Sequence, residues 1–255
     1  MIDTANFDVF EGMTSISAVI KSIRDGLSDR KIYKVMFDAK KSDKKSREIG
    51  FLRHVAEELD FELVPSDNDE ISELTSGTTH GGIIAICSKR HFPSLNVNYL
   101  TNGNFFVLIE GLEDPYNFGY SIRSLYASGA DGVILPERNW MEFAGTVARS
   151  SAGTSELSNI LVCDPLEAVK MFKENGFEVV CSNIRDSVSL YEYDFARPTL
   201  LVVGGEKRGI SRKILDIADL NVRIEYGRDF MGSLPSASAI SVMAFEIARK
   251  KGIIR

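Results

Sequence analysis

Near-continuous apolar segments, separated by stretches of helical periodicity, recur through the second part of the chain. They are NFFVLIEG at 104–111, GVILP at 132–136, FEVVCS at 177–182, TLLVVGG at 199–205 and a shorter one, NVRIEY, at 221–226. A strand that is apolar on both faces must be covered on both faces, and helices between successive strands provide that cover. The pattern therefore predicts an α/β domain built on a parallel sheet.

A smaller α/β unit is predicted in the first part of the chain. KIYKVMFD at 31–38 has the pattern of a strand, and residues 44–60 repeat apolar side chains at helical spacing. Residues 90–103 contain proline, three asparagines and a glycine without a sustained period, which is typical of a linker. We predict a first domain at 1–92, a linker at 93–103 and a second domain at 104–255.

Composition and charge argue against several classes of protein. The net charge of −6 argues against an extended surface that coats nucleic acid, although a local basic patch is still compatible with it. The sequence has neither an apolar run of the roughly 18–20 residues that span a bilayer nor a secretory leader at its N-terminus. Cys87, Cys163 and Cys181 lie far apart without a CxxC pair, so no zinc cluster or disulfide framework is indicated. We expect a soluble, cytoplasmic protein without a metal site.

The segment TLLVVGGEKRGIS at 199–211 passes from a strand through glycines into a helix, an arrangement that presents backbone amides to a ligand. Gly204 and Gly209 have the glycine spacing of a phosphate-binding P-loop, but Ile210 occupies the position of the required lysine. An NTPase is therefore excluded. A dehydrogenase is disfavoured because no apolar strand is followed by the dinucleotide fingerprint GxGxxG.

Three segments in a fixed order carry a more specific signal. Residues 109–136, 201–211 and 222–246, with ARSSAGTSE at 148–156 between the first two, resemble the sequence motifs of the SpoU/TrmH branch of the SPOUT methyltransferases. The resemblance covers roughly residues 104–250. It implies a parallel-sheet domain with a C-terminal trefoil knot. It also implies transfer of a methyl group from S-adenosylmethionine (AdoMet) to a ribose 2′-hydroxyl of rRNA or tRNA.

The same motifs imply particular catalytic residues. The family pattern NxGxxxR is matched by Asn117, Gly119 and Arg123, the acidic position of the second motif by Glu206, and the start of the third by Ser233. The family's arginine is often assigned as the general base, but a guanidinium rarely gives up its proton. We therefore expect Arg123 mainly to position an RNA phosphate and the 2′-hydroxyl.

In this family the AdoMet pocket is built largely from backbone near the motifs. The resemblance assigns it to Ser182, Gly204, Gly205, Gly209, Ile224 and Leu234. The chain departs from the family where Pro235 replaces the asparagine that usually follows Ser-Leu, and where Glu225 and Tyr226 replace a common Pro-Met pair. Proline has no side-chain amide and no backbone N–H, so any hydrogen bond made by the usual asparagine is lost.

Residues 12–91 resemble, more loosely, the small ribosomal-protein-like RNA-binding domain that often precedes this catalytic domain. The densest basic stretch of the chain lies there, at 40–47. A solvated loop explains such a stretch as well as phosphate contact does. The candidate RNA-binding residues are Lys40, Lys41, Lys44 and Lys45, with Arg149 near the catalytic motifs.

The last predicted helix, from Ser233 to about Lys250, is rich in serine and alanine. Small side chains allow close helix approach, which fits either a homodimer interface or packing within the chain. Two other functions also stay open. The protein could be a non-catalytic RNA-binding protein that keeps this fold, or a SPOUT enzyme that methylates a base.

Overall fold

Residues 6–75, 80–137, 143–205 and 208–254 are described by a computed structural model of the chain. They divide into two units. The first comprises Met1–His91 with Asn139–Leu157, and the second comprises Phe92–Arg138 with Ser158–Arg255. No helix within the described ranges has the length and apolar character that crossing a bilayer requires.

Strands and helices alternate along most of the chain. The strands are β1 (Phe7–Glu11), β2 (Ile32–Asp38), β3 (Glu62–Ser66), β4 (Ile83–Ser88), β5 (Phe105–Ile109), β6 (Gly132–Leu135), β7 (Ile160–Val162), β8 (Glu178–Ser182), β9 (Val188–Ser189), β10 (Thr199–Val203) and β11 (Leu220–Arg223). The α-helices are α1 (Gly12–Arg24), α2 (Ser46–Leu59), α3 (Asn68–Glu73), α4 (Pro115–Ser128), α5 (Ala144–Ser150), α6 (Thr154–Leu157), α7 (Pro165–Glu174), α8 (Arg212–Leu215) and α9 (Ser236–Lys250). Short 3-10 helices span Ala39–Lys41, Asp43–Lys45 and Val97–Leu100.

The first unit is built on a four-stranded sheet in the order β1-β4-β2-β3. β2 pairs parallel with β3, whereas β4 pairs antiparallel with both β1 and β2. The predicted strand at 31–38 and the predicted helix at 44–60 are confirmed as β2 and α2. Helices α1 and α2 bury apolar faces in a core with the sheet, to which Ala144 and Ala148 of α5 also contribute.

A buried arginine joins distant parts of the first unit. Arg30 donates from Nε to Glu156 Oε2 at 2.8 Å and from NH1 to Asp8 Oδ2 at 2.6 Å and to the Ser88 carbonyl at 2.6 Å. The side chains of Arg30, Asp8 and Glu156 are only 1%, 4% and 4% exposed. Ions removed from water need such partners, because an unpaired buried charge costs several kcal/mol. Arg30 therefore ties β1 and β4 to α6.

The segment 143–157 was predicted as part of the second domain, but it belongs to the first unit. Gly145 shows how tightly it packs, because a Cβ at this position would overlap the Val9 carbonyl of β1. The physical reason is that Glu156 and the apolar face of α5 find their partners among residues 8–30.

The second unit is built on a parallel sheet in the order β7-β6-β5-β10-β8-β11-β9. All of its pairings between the described strands are parallel. This confirms the predicted parallel sheet and the strands predicted from the apolar segments. Phe106 of β5 packs edge-to-face on Phe172 of α7 and on Phe177, with ring centroids 5.1 and 5.7 Å away.

The predicted linker at 93–103 is packed against this second sheet instead of spanning between domains. The backbone N–H of Leu95 donates to the Val162 carbonyl at 2.9 Å, and the N–H of Val162 donates to the Pro93 carbonyl at 2.9 Å. Leu95 and Leu100 are buried in the core. The two buried leucines and the backbone hydrogen bonds to β7 hold the segment in place.

Helices α4 and α9 pack on each other in the second unit. α4 begins where Asp114 accepts a hydrogen bond from the Asn117 N–H at 2.7 Å and Pro115 occupies the first turn. The hydroxyls of Ser124 and Ser241 are 2.7 Å apart across the pair. Three alanines of α9 are buried on its inward side: Ala237, Ala244 and Ala248. Packing within the chain thus accounts for much of the small-residue composition.

The last helix starts at Ser236, and the prediction that it starts at Ser233 was wrong. Pro235 is the N-cap, with ψ of 143°, and its carbonyl accepts from the Ala239 N–H at 3.0 Å. The residue before a proline is driven towards extended backbone, so the helix cannot extend back through Leu234.

Replacing Arg30 with methionine would leave Asp8 and Glu156 buried without their cationic partner. We expect Arg30→Met to lower the free energy of unfolding by about 3–5 kcal/mol. Urea denaturation followed by circular dichroism measures the change.

Arg24→Met is the matched control, because Arg24 pairs with Glu58 on the exposed surface of the same unit. Water solvates the Glu58 carboxylate that remains after the substitution, so the urea midpoint of this variant should stay close to that of the unmodified protein. Similar losses for the two variants would show that burial does not decide the strength of the Arg30 pairs.

Candidate functional site

The carboxyl ends of three neighbouring strands form one edge of the second sheet. β10, β8 and β11 lie side by side and run parallel, so the segments that follow them meet at this edge. Ligands of open parallel sheets bind outside the carboxyl ends of the strands. The residues predicted to bind AdoMet all lie on or near these three segments: Ser182, Gly204, Gly205, Gly209, Ile224 and Leu234.

The glycines after β10 are required by close backbone contacts. A Cβ at Gly204 would overlap the backbone of Gly209 and Ile210, and a Cβ at Gly205 would overlap the carbonyl of Gly111, which follows β5. The Gly209 N–H donates to the Gly205 carbonyl at 2.9 Å, which closes the turn. Gly204 and Gly205 therefore cannot carry a side chain unless the neighbouring backbone shifts.

A cavity of about 900 Å³ lies at the carboxyl ends of β8 and β11. We call it the large cavity. Its volume is within the range of small-molecule sites. The large cavity is lined by Ser182, Asn183, Ile184, Val222, Arg223, Ile224, Glu225, Tyr226, Phe230, Met231, Gly232, Ser233, Leu234, Ala239 and Met243. It brings together the predicted residues Ser182, Ile224, Ser233 and Leu234.

Three large apolar residues of the lining are strongly exposed to solvent. Ile184, Phe230 and Met231 are 81%, 57% and 104% exposed. The phenol oxygen of Tyr226 accepts from the Leu234 N–H at 3.2 Å, and the Tyr226 ring packs edge-on against Phe230 with centroids 5.7 Å apart. Tyr226, which departs from the family pattern, thus links the two ends of the segment 226–234.

A second cavity of about 380 Å³ adjoins the first, since Ser182 and Asn183 line both. Gly209 lines this smaller cavity, as do Arg185, Arg208 and Arg212. Asn183 and Arg185 were not among the predicted site residues. Asn183 directly follows an apolar strand and Arg185 lies two residues further on, and this position was the signal that could have identified them.

Arg123 and Asn117 lie on α4, outside the lining of both cavities. Arg123 is exposed and forms no hydrogen bond or ion pair with any residue that the structure describes. Asn117 is half-buried in the first turn of the helix, where Asp114 acts as the N-cap. Through the contact of Ser124 with Ser241, α4 is joined to α9, which supplies Ala239 and Met243 to the large cavity.

One predicted catalytic residue, Glu206, lies outside the described residues. The predicted RNA-binding residues belong to the first unit. Lys40 lies 3.5 Å from Asp67 and Lys41 lies 3.1 Å from Asp38, whereas no ion pair to Lys44 or Lys45 is found among the described residues.

Arg149, also predicted to bind RNA, donates to Glu11 at 2.7 Å, and the Glu11 side chain is buried. This ion pair balances the charge of Arg149 within the first unit. Arg149 is therefore less available to a phosphate than an unpaired lysine would be.

Thiol chemistry at this edge of the sheet is disfavoured. Burial raises the pKa of the Cys181 thiol, next to Ser182, to about 12. Burial also raises the pKa of Cys163. A cysteine nucleophile needs a lowered pKa, so the raised pKa values argue against a nucleophilic role for these two thiols. No cluster of three or more His, Cys, Asp or Glu suited to a metal ion occurs in the described part of the chain.

Sequence comparisons point to one family. The sequence model of the SpoU rRNA Methylase family matches residues 104–245. A relative from Ralstonia nicotianae, named 23S rRNA (guanosine-2′-O-)-methyltransferase RlmB, is 26% identical over 230 residues, which cover 88% of this chain and 90% of that protein. A TrmH family relative from Staphylococcus saprophyticus is 32% identical over 149 residues. That match spans 58% of this chain and 59% of the relative, less than two thirds of its length.

Solved structures share the fold. The SpoU methyltransferase AviRb from Streptomyces viridochromogenes, in complex with the cofactor AdoMet, aligns with a TM-score of 0.78 at 22% identity over 98% of this chain and 92% of that one. An AdoMet-bound rRNA methyltransferase from Sinorhizobium meliloti aligns with a TM-score of 0.77 at 22% identity, over 97% of this chain and 88% of that one. The predicted α/β fold with a parallel sheet is thereby confirmed.

A methyl group at Gly205 would force the glycine segment away from Gly111. We expect Gly205→Ala to destabilise the protein by about 1–3 kcal/mol, because overpacked backbone must shift to relieve the overlap. Thermal denaturation measures the change. Gly227→Ala is the control, because a Cβ there meets no described atom within 4 Å. Equal stability of the two variants would contradict the role given to the contact of Gly205 with Gly111.

Proposed function

Because the chain belongs to the SpoU rRNA methylase family, we propose that it transfers a methyl group from AdoMet to a ribose 2′-hydroxyl of rRNA or tRNA. The observation that carries the proposal is the large cavity, where residues implied by the motifs line one space beside the carboxyl ends of β8 and β11. One relative is named for 23S rRNA, and the other is named for tRNA and rRNA. Both names support RNA as the substrate.

The residues of the large cavity fit AdoMet. Val222, Ile224, Leu234 and Met243 provide apolar walls for an adenine ring. Ser182, Asn183 and Ser233 provide hydroxyl and amide groups for its polar edges. The Glu225 carboxylate also lines the cavity, where Arg223 pairs with it at 2.9 Å and balances its charge. AdoMet supplies an electrophilic methyl group when it is bound. The protein's task is then to hold the ribose oxygen in line, and positioning of this kind can lower a barrier by roughly 7–11 kcal/mol.

Arg123 positions the RNA in this proposal. Its guanidinium is exposed and unpaired among the described residues, so it can bind a phosphate through two parallel hydrogen bonds. Held in this way, it also positions the 2′-hydroxyl, whose proton passes to solvent late in the transfer. Ser233, on the wall of the large cavity, is available to hydrogen-bond the RNA. Asn117 braces the first turn of α4, and Glu206 orients the basic groups.

Pro235 does not remove the helix that follows the site. It acts as the N-cap of α9, and the Tyr226 hydroxyl holds the Leu234 N–H next to it. Tyr226 thus supplies a contact at the third motif even though the family's asparagine amide is absent. We propose that this segment keeps its place at the cofactor by that contact.

The remaining architecture follows the family in our proposal. The second unit carries a C-terminal trefoil knot, and the chain forms a cytoplasmic homodimer through this unit. Exposed aromatic side chains of α4 and α9, among them Tyr116, Tyr120 and Phe245, support a protein contact there. The first unit binds the RNA substrate. Its basic residues Lys44 and Lys45, unpaired among the described residues, support that role.

Removal of the Arg123 guanidinium tests the proposed reaction. We expect Arg123→Ala to abolish methyl transfer from labelled AdoMet to total RNA, because the target ribose loses its anchor. AdoMet binding, measured by calorimetry, should stay within about twofold, because Arg123 does not line the large cavity.

Arg249→Ala is the control for general loss of positive charge, since Arg249 is an exposed arginine of the same unit paired with Glu246. It should retain turnover. Unchanged turnover of Arg123→Ala would contradict the assignment. Mapping the methylated product by nuclease digestion and mass spectrometry distinguishes a ribose from a base.

Neutralising the basic stretch of the first unit tests its role with RNA. We expect replacement of Lys40, Lys41, Lys44 and Lys45 by glutamine to weaken RNA binding and flatten its salt dependence, because each lost phosphate contact lowers the slope by about 0.7–0.9. The pair Lys44 and Lys45 should account for most of the effect, since Lys40 and Lys41 face aspartates. AdoMet affinity should not change. A salt slope equal to that of the unmodified protein would identify the stretch as a solvated loop.

A further inference from the structure

The smaller cavity at the carboxyl ends of β8 and β10 has a different chemistry from the large one. We call it the arginine cavity. It is lined by Ser182, Asn183, Arg185, Asp186, Arg208, Gly209, Ile210, Arg212, Leu215, Asp216 and Asn221. Because it shares Ser182 and Asn183 with the large cavity, the two spaces adjoin. A ligand in one lies next to a ligand in the other.

The charges of the arginine cavity favour an anion. Arg212 forms an ion pair with Asp216 at 2.8 Å, and this pair balances its charge. Arg185 and Arg208 form no ion pair with any residue in the described ranges. Asp186 is the remaining carboxylate of the lining, and it offsets part of this charge. Two available guanidiniums at one concave surface match the geometry of a phosphate, which accepts paired N–H groups.

The backbone that carries these arginines is held in place before any ligand binds. The N–H of Arg185 donates to Asn183 Oδ1 at 3.3 Å, and the Arg185 carbonyl accepts from Asn221 Nδ2 at 3.1 Å. Arg208 precedes Gly209, whose N–H donates to the Gly205 carbonyl at 2.9 Å. Preorganised groups lose less conformational entropy on binding.

One buried atom of the cavity lacks a hydrogen-bond partner. Asn221 Oδ1 is buried, and it accepts no hydrogen bond from the described residues. The orientation of the amide is settled by the bond from its Nδ2 to a carbonyl, so the orphan atom is the oxygen. A buried acceptor of this kind calls for a donor, and a ribose hydroxyl is one.

We propose that the arginine cavity binds a phosphodiester of the RNA substrate through Arg185 and Arg208, and the adjoining ribose hydroxyl through Asn221 Oδ1. This inference rests on the proposed function, because it places the RNA backbone next to the cofactor in the large cavity. The ligand is a nucleotide of the backbone that flanks the methylated residue. The hydroxyl contact gives the site a means to prefer RNA over DNA.

Substitution of both arginines tests the phosphate contact. The double variant Arg185→Gln, Arg208→Gln should weaken binding of total tRNA or total rRNA by about 10-fold or more and lower the salt slope by about 1–2. Equilibrium filter binding measures both without requiring turnover. Calorimetry should find AdoMet affinity unchanged. The double variant Lys170→Gln, Arg249→Gln removes two exposed positive charges of the same unit outside both cavities, so it is the charge-matched control and should change neither quantity.

Two other outcomes overturn the proposal, and a third separates it from the proposed function. RNA binding equal to that of the control would exclude a phosphate in the cavity. Weakened AdoMet binding with unchanged RNA binding would assign the arginines to the carboxylate of AdoMet. If the unmodified protein binds RNA and the double variant does not, while neither transfers a methyl group, then the phosphate site stands and the proposed function fails.

A second comparison tests the hydroxyl contact. The unmodified protein should bind a poly(U) oligoribonucleotide about 2- to 10-fold more tightly than the matched 2′-deoxy oligonucleotide through this hydrogen bond. In Asn221→Ala the difference between the two oligonucleotides should shrink by that factor. A difference that persists undiminished in Asn221→Ala would show that Asn221 does not read the hydroxyl.

Discussion

The close approach of two backbones at the carboxyl ends of β5 and β10 is the contact on which the site depends. Gly205 lies against Gly111 so closely that no side chain fits between them, and Gly204 lies equally close to Gly209. Sheet hydrogen bonds hold the strands together, but they do not determine where the segments beyond the strands go. The glycine contacts do, and they place Arg208 and Gly209 beside the segment after β8. The arginine cavity, which Arg208 and Gly209 line, is therefore a consequence of backbone packing.

The apolar strands of the second sheet were predictable because their burial on both faces is visible locally. This burial pattern predicts β5, β6, β8 and β10 directly. The order of the strands in the sheet was not predictable, because β5 and β10 are neighbours in the sheet but far apart in the chain. β7 and β9 have three and two residues, too few to show a period. Strand β1 was not predicted, because Asp8 and Glu11 are charged residues of the kind usually found on the surface. Their burial becomes understandable only once Arg30 and Arg149 are known to pair with them.

The site residues were predictable where a sequence motif determines the course of the backbone. They were less predictable where side chains from different segments come together. Ser182, Ile224 and Leu234 were expected from resemblance, and they line one cavity. The arginine cavity was not expected. Arg185, Arg208 and Asn221 come from three segments whose proximity is a product of strand order. Tyr226 was noted as a departure from the family, but its bond to Leu234 could not be read from sequence.

The first unit consists of two stretches that are separated in the chain, and this separation affects how the unit folds during synthesis of the protein. Its sheet is finished once Ser88 has been made, yet Ala144, Ala148 and Glu156 belong to its interior. Until the ribosome has added Leu157, Arg30 has only part of its partner set and the apolar surface that receives α5 is uncovered. The exposed apolar surface of the nascent first unit favours aggregation during this interval. Its completion is timed by translation of β5, α4 and β6, which belong to the other unit.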